Sequence, residues 1–301
     1  MFAVNGEDAP DAEKSMAERA VFVDDGHFYS PIHDPEDVKA YLASEVFQRQ
    51  CVRVDALLDF DAMSALWGQI KGGALAFPFE QSEAFRYRVL NNQFLLIDST
   101  VASAMVTHLN PRKIVEIGCG WSSAAMFDVL ERLQDRRLEQ FVCIDPDMSR
   151  LDAIDPPAFV ERRRERVQDT PLEVFESLGA GDILFIDSSH VLKAGSDVHY
   201  EYLHLLPKLP SGVIVHIHDV FYPFEYPRSW LVRERRAWNE GYLVDLMLSH
   251  SDRWEVMFFN HAMMEKRPDV LNEGLKLMDQ MNTHGLKPFQ RVNGSIWLRR
   301  R

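Results

Sequence analysis

From Lys113 onward, short apolar runs alternate with helical stretches, and this alternation limits the fold more than any other feature of the chain. Candidate strands are Ile114–Ile117, Phe141–Asp145, Phe159–Val167, Ile183–Asp187, Val213–His218, Trp254–Phe259 and Ser295–Leu298, with helices fitting between most of them. Near-continuous apolar strands separated by helices predict a parallel, doubly wound α/β sheet covered on both faces. Such sheets bind ligands at the carboxyl ends of their strands, so strand ends are where chemistry is sought. The long helical run Met263–His284 separates the last two strands, which suits an antiparallel pair at an edge.

The first strand runs straight into a glycine-spaced turn, Lys113-Ile-Val-Glu-Ile-Gly-Cys-Gly-Trp-Ser-Ser123, followed by an amphipathic segment from Ser122 to Leu133. Gly118 and Gly120 allow a sharp turn and close backbone approach to a ligand, and a new helix offers free N–H groups and its positive dipole end. Glu116 at the strand end can accept hydrogen bonds from hydroxyls or an ammonium. By themselves two glycines also suit an ordinary strand-to-helix turn. The dinucleotide fingerprint fails at Ser123, where its third glycine would stand.

The later strand ends carry polar residues in series. Asp145 closes the second strand, where a nucleoside ribose would be held by its hydroxyls. Gln168 and Asp169 follow the third strand, beside a base or, in the case of Asp169, as a helix cap ahead of Pro171. The fourth strand ends Asp182-Ile-Leu-Phe-Ile-Asp187-Ser-Ser-His190, and the fifth ends Val215-His216-Ile-His218-Asp219. Residues two apart share a strand face and neighbouring strands lie about 5 Å apart, which predicts one small site from Asp187, His190, His218 and Asp219. That set can bind a hard or borderline divalent cation, with Asp187, His218 and Asp219 as ligands, or act as general base. His216, deeper in the strand, reads as a satisfied core histidine.

Residues 1 to about 100 read as an N-terminal arm and a mainly helical cap, and 101–301 as the ligand-binding domain. Within the cap, Asp34 and Pro35 start one helix, and a second runs from Asp59 to Lys71 and ends at Gly72-Gly73. After the fifth strand, Phe221-Tyr-Pro-Phe-Glu-Tyr-Pro-Arg-Ser-Trp230 is either a stiff aromatic lid or a loop packed on the cap, and Val232–Tyr242 reads as a half-exposed helix whose Trp238, Asn239 and Glu240 are read as core or surface residues, with lining of the acceptor pocket as the alternative.

Composition narrows the partners. The chain has 301 residues, 33 Lys plus Arg against 46 Asp plus Glu, and a formal charge of −13, so nucleic acid finds no global attraction. The basic run Glu161-Arg-Arg-Arg-Glu-Arg166 reads as a solvated charge face. The three cysteines, Cys51, Cys119 and Cys143, lie far apart in sequence, which suits a reducing cytoplasm and argues against a thiolate zinc site. No apolar stretch reaches membrane-spanning length and no signal peptide is visible, so a cytoplasmic location is expected.

Taken together, the glycine loop from Glu116, Asp145, the Asp182–His190 segment and Leu209-Pro-Ser-Gly212 through Asp219 resemble the class I S-adenosylmethionine-dependent methyltransferases. The likeness is to the bacterial branch of small-molecule and sugar O-methyltransferases and cephalosporin-hydroxylase-like proteins, over about residues 85–300. It implies a Rossmann-like sheet of seven strands, mostly parallel, with the last antiparallel. By position it implies that Glu116, Gly118 and Gly120 hold the methionine part of the cofactor, with Ser122 and Ser123 near its carboxylate. Asp145 would hold the ribose, and Gln168 or Asp169 would lie by the adenine. Asp187 also falls in the cofactor set, and Asp187 and Asp219 match positions that bind a magnesium-type ion in metal-dependent relatives. The activity expected is O-methylation of a small-molecule or saccharide hydroxyl, with a homo-oligomeric assembly left open. Metal-centred oxygenation, with iron, and cofactor binding without turnover are the alternatives.

Overall fold

In the computed structural model, residues 22–76, 84–272 and 294–301 are described. Among the described residues seven strands form one sheet: β1 (Lys113–Ile117), β2 (Gln140–Ile144), β3 (Val160–Arg163), β4 (Ile183–Ile186), β5 (Ile214–His218), β6 (Trp254–Phe259) and β7 (Ser295–Arg300). Their order is β3-β2-β1-β4-β5-β7-β6. The β1–β5 pairs are parallel, whereas β7 lies antiparallel to both β5 and β6. The doubly wound α/β expectation therefore holds, with the antiparallel last strand inserted between its two partners. The apolar strands β1, β2, β4 and β5 are almost wholly buried, as central parallel strands must be.

Order reverses at β1, with β2 on one side and β4 on the other. This is the switch point at which loops from adjacent strands part and leave a crevice. The β3 edge is shorter than the expected Phe159–Val167 run. Its arginines are engaged in ion pairs: Arg163 with Glu161 at 2.7 Å, and Arg162 and Arg164 with Asp152 at 3.1 Å. Basic residues on an edge strand also discourage pairing with a second sheet.

Helices α1 (Pro35–Leu42), α2 (Glu45–Leu57), α3 (Phe60–Ala76) and α4 (Leu96–Leu109) precede β1 in the chain, and α5 (Trp121–Arg132) follows it. The Asp34 side chain accepts the Glu36 N–H at 2.7 Å with Pro35 in the first turn, as the sequence predicts. Helix α3 does not stop at Gly72-Gly73 but continues to Ala76. Gly73 lies against α4, where a Cβ would stand 3.2 Å from the Thr107 side chain, so close helix packing and not termination accounts for a small residue there. Helix α4 is buried from Leu96 through Val106.

Short helices α6 (Ser149–Ala153), α7 (Glu173–Glu176) and α8 (Asp197–Tyr200) fill the crossovers, and α9 (Glu240–His250), α10 (Asn260–Lys266) and α11 (Pro268–Asn272) flank β6. Most of the expected Met263–His284 run, like the N-terminal arm, lies outside the described residues. The expected helix over Val232–Tyr242 is instead a π-helical turn (Trp230–Glu234) ended by Arg235 at φ 53°, and α9 begins afresh at Glu240. The chain divides into two compact units, Met1–Ser44 with Arg228–Ala237, and Glu45–Pro227 with Trp238–Arg301. In the smaller, His33 Nε2 bonds the Leu231 carbonyl at 2.7 Å and the Arg236 guanidinium lies 3.8 Å from the Trp230 ring centre. The whole sheet belongs to the larger. No helix among the described residues is long and apolar enough to cross a membrane.

Candidate active site

The glycine loop leaves β1 with Gly118 at φ 79°, a conformation that L side chains rarely adopt. A Cβ there would stand 1.8 Å from the Asp187 carbonyl oxygen, so only glycine lets β1 and β4 end side by side. The Gly118 N–H donates to the Ile144 carbonyl at 3.0 Å and the Asp187 N–H to the Ile117 carbonyl at 2.9 Å, extending both ladders by one residue. Next, the Cys119 N–H donates to Asp145 Oδ2 at 3.0 Å, while Asp145 Oδ1 accepts the Asp147 N–H at 2.8 Å. Asp145 is thus fixed at the loop's flank, half-buried.

Glu116 lies beneath the loop, with 0% of its surface exposed. Its two carboxylate oxygens accept the Ser122 and Ser123 hydroxyls, each at 2.6 Å, and Ser123 Oγ in turn accepts the Gly120 N–H at 3.0 Å. Burial pushes the Glu116 carboxyl up to about 8, against the lowering effect of the two serines. The serines therefore tie the start of α5 to β1 through Glu116. Above the loop stand two residues that sequence reading passed over: a Cβ on Gly120 would meet the Arg150 stem at 3.8 Å and the Gln93 side-chain amide at 4.0 Å. Farther out, Gln168 Nε2 donates to the Gly195 carbonyl at 2.9 Å, and exposed Asp169 pairs with Arg166 at 2.8 Å.

At the ends of β4 and β5 the four expected residues come together. His190 Nε2 lies 3.4 Å from Asp187 Oδ1 and 3.5 Å from Asp219 Oδ2, and His218 Nε2 lies 3.7 Å from Asp219 Oδ1. His190 and Asp219 both have left-handed backbones, φ 60° and 53°. Such conformations in non-glycine residues are costly and cluster at functional sites. His218 is held from β7 and from the segment before α4, by Ser295 Oγ at 3.1 Å and the Gln93 carbonyl at 3.3 Å.

His190 has a partner that the sequence did not suggest. Glu240, the first residue of α9 and 1% exposed, places Oε2 2.8 Å from His190 Nδ1 and accepts the Tyr202 hydroxyl on Oε1 at 3.0 Å. The Asn239 and Glu240 N–H groups also donate to the His190 carbonyl, at 3.0 and 3.3 Å, and the Trp238 ring lies 4.4 Å from the imidazole. A carboxylate on Nδ1 sets the ring so that Nε2 faces the site.

Electrostatically the site is two acids against two imidazoles. Burial opposes charging His190, but Asp187 and Glu240 hydrogen bonds and the Asp219 charge outweigh it and hold the imidazole well above its ordinary value. His218 is likewise raised, burial being overcome by Asp219 and Asp187. Burial would raise Asp187, yet the His218 and His190 charges keep it below the usual carboxylate value. Asp219 goes the other way, because burial exceeds the help of the two histidines. His216 takes no part: its ring stacks on Phe185 at 3.7 Å, and neither nitrogen has a partner among the described residues. It is a core residue, though not the satisfied one expected.

Asp187, His218 and Asp219 have the donor chemistry for a divalent cation. As the side chains stand, however, the His190 imidazole lies between the two carboxylates, and no three donors of this group come within 4.8 Å of one another among the described residues. The arrangement does not fit an ion. In the Phe221–Trp230 segment, Phe221, Phe224 and Tyr226 are buried, the first two against His261 and Phe259 rather than against the expected cap, whereas Tyr222 donates its hydroxyl to Asp55 of α2 at 2.7 Å and the Pro223 carbonyl accepts Gln50 Nε2 at 2.9 Å.

Residues 115–220, from within β1 to just past β5, match a family model described as a methyltransferase domain. This stretch is a methyltransferase domain. Its limits enclose the glycine loop, Asp145, Asp187, His190, His218 and Asp219. Among solved structures, the SAH-bound methyltransferase PaMTH1 of Podospora anserina is similar at 16% identity and TM-score 0.39, covering 86% of this chain and 97% of its own. An O-methyltransferase from Bacillus cereus in complex with SAH is similar at 14% identity and TM-score 0.38, over 88% of this chain and 97% of that one. The O-methyltransferase TomG from Streptomyces achromogenes, in complex with SAM, follows at 15% and 0.34, over 82% and 93%. No curated protein matches the chain by sequence.

Proposed function

We propose that the methyltransferase domain transfers a methyl group from S-adenosylmethionine to a hydroxyl of a small molecule or saccharide. The observation that carries this reading is the juxtaposition at the switch point: a ligand-approachable glycine loop with a fixed ribose-side acid, Asp145, on one side, and the Asp187–His190–His218–Asp219 cluster on the other. In this assignment the loop at Gly118 and Gly120 and the first-turn N–H groups of α5 hold the methionine part. Arg150 faces its carboxylate, and Gln168 lies toward the adenine. Glu116, Ser122 and Ser123 act from beneath by fixing the loop.

Methyl transfer to oxygen is an in-line displacement. An acceptor oxygen lone pair forms the new C–O bond, the C–S bond breaks with its electrons going to sulfur, and the hydroxyl proton leaves to a base. The upward shifts of His190 and His218 favour their charged forms and make them poorer proton acceptors, so the base in this reading is Asp219, whose raised pKa makes it the stronger of the two carboxylate bases. His190 and His218 orient the carboxylates and spread the charge as the proton arrives.

Calorimetry with S-adenosylmethionine and with its demethylated product tests the cofactor; binding of neither would end the reading. A screen for transfer of labelled methyl to hydroxylated small molecules and saccharides then identifies the acceptor. On that acceptor Asp219→Asn should lower kcat by about 100-fold or more, the usual size of a general-base contribution. Full turnover in both Asp219→Asn and His190→Ala would remove the cluster from the chemistry.

A further inference from the structure

The three cysteines are far apart in sequence, yet two of them meet in space. In the β1–β2 ladder Cys143 stands opposite Glu116, and the turn at Gly118 folds Cys119 back over the strand end. Glu116, Cys119 and Cys143 each present one donor atom within 4.8 Å of the other two, all three residues being buried. Cys143 Sγ lies 3.7 Å from Glu116 Oε2, and Cys119 Sγ is 3.7 Å from the Ile144 carbonyl oxygen. A tetrahedral ion with bonds of about 2.3 Å to sulfur and 2.1 Å to oxygen spaces its donors about 3.6–3.8 Å apart. The observed sulfur-to-carboxylate separation already has that value, and the remaining pairs need close by no more than about 1 Å to reach it.

We propose that Glu116, Cys119 and Cys143 form a site for a thiophilic divalent ion of the zinc or cadmium type, directly beneath the glycine loop. Two thiolates with one carboxylate are a soft-to-borderline donor set, unlike the carboxylate–imidazole cluster at β4 and β5. Binding is a proton exchange with no change of oxidation state: two S–H protons and the carboxyl proton leave to solvent as the ion–sulfur and ion–oxygen bonds form. The ion enters from the loop side, where Cys119 keeps 5% of its surface exposed while Cys143 and Glu116 have none. Because the Cys119 N–H also holds Asp145, an ion that draws Cys119 inward loosens the proposed ribose side of the pocket. That last consequence rests on the cofactor reading above, whereas the metal site does not.

The full chain, stripped with chelator, is titrated with cadmium while thiolate-to-cadmium charge-transfer absorption is followed, and zinc is measured by competition. One ion per chain is expected, with the band lost in Cys143→Ser and Cys119→Ser and kept in Cys51→Ser. A band that persists in Cys143→Ser, or disappears in Cys51→Ser, overturns the proposal. Cobalt binding to the unmodified chain asks the same question without a variant that could misfold. A tetrahedral thiolate spectrum supports the site, and an octahedral one overturns it. Calorimetry with S-adenosylmethionine, run with and without cadmium, should show at least a tenfold loss of cofactor affinity. Cadmium binding by a chain that never binds the cofactor would sink the cofactor reading alone, and cofactor binding by a chain with no thiolate band would sink this proposal alone.

Discussion

At the scale of single residues, His216 gives the cleanest stability test. Burial, with the positive charge of His218 adding, holds its imidazole well below the ordinary 6.5. Below about pH 6.5 the unfolded chain therefore takes up a proton that the folded chain refuses, and stability falls with acidification by up to about 1.4 kcal/mol per pH unit. His190 and His218, with raised values, act in the opposite sense: their contribution is present in acid and lost as pH rises. The difference between the parent chain and His216→Phe isolates the one residue. Urea midpoints at pH 7.5 and 5.5 should show the variant losing less stability, and at pH 7.5 it should be no weaker, since the imidazole nitrogens make no hydrogen bond that phenylalanine would forfeit. Equal losses in the two proteins would refute this. Glu240→Gln keeps the shape at His190 Nδ1 and removes the charge. We expect kcat to fall by up to about 100-fold with KM little changed, because the carboxylate orients a neighbour and touches no acceptor atom. Glu240 could be read in the sequence as one side of an acceptor pocket, but its pairing with His190 was illegible for a definable reason. Nothing in a glutamate within Arg-Ala-Trp-Asn-Glu-Gly signals a partner fifty positions earlier, and the expected Val232–Tyr242 helix hid the fact that a new helix starts there. Asp187, His190, His218 and Asp219 were legible because strand polarity alone brings them to one edge.

At the scale of elements, the turn after β1 depends on the absence of one atom. Gly118→Ala combines a left-handed φ with a contact to the Asp187 backbone, and backbone cannot swing aside as a side-chain end can. The strain of the conformation alone is about 1–2 kcal/mol, and separating β1 from β4 adds to it, so thermal melting should drop by several degrees. Calorimetry should show S-adenosylmethionine binding lost in the same variant. A variant that melts and binds like the parent would mean that the loop is differently built. The turn itself could be read in advance because glycine spacing after an apolar run has a local cause. The continuation of α3 through Gly72-Gly73 could not, since packing against α4 overrides the local preference for a stop.

For the molecule as a whole, the doubly wound plan was legible from alternation, whereas the insertion of β7 between β5 and β6 was not, because strand periodicity carries no information about neighbours. If the switch-point crevice holds the cofactor, saturating it must stabilise the folded chain by mass action. At a hundred times its Kd, S-adenosylmethionine should add about 2.7 kcal/mol, seen as a rise in melting temperature that grows with ligand concentration. No rise at any concentration would contradict the assignment. The position of β7 has a further consequence for the order of assembly. His218 hydrogen-bonds Ser295, its partner in the β5–β7 ladder, across a wide sequence separation, whereas the glycine loop and Asp145 are set by β1 and β2, whose ladder partners lie much closer in the chain. Closing the longer loop costs more entropy and comes later. During refolding, amides around Gly118 should therefore gain protection from hydrogen exchange before those of β7, so that the side of the crevice proposed for the methyl donor takes shape before the side proposed for the acceptor; protection at both places together would contradict this order.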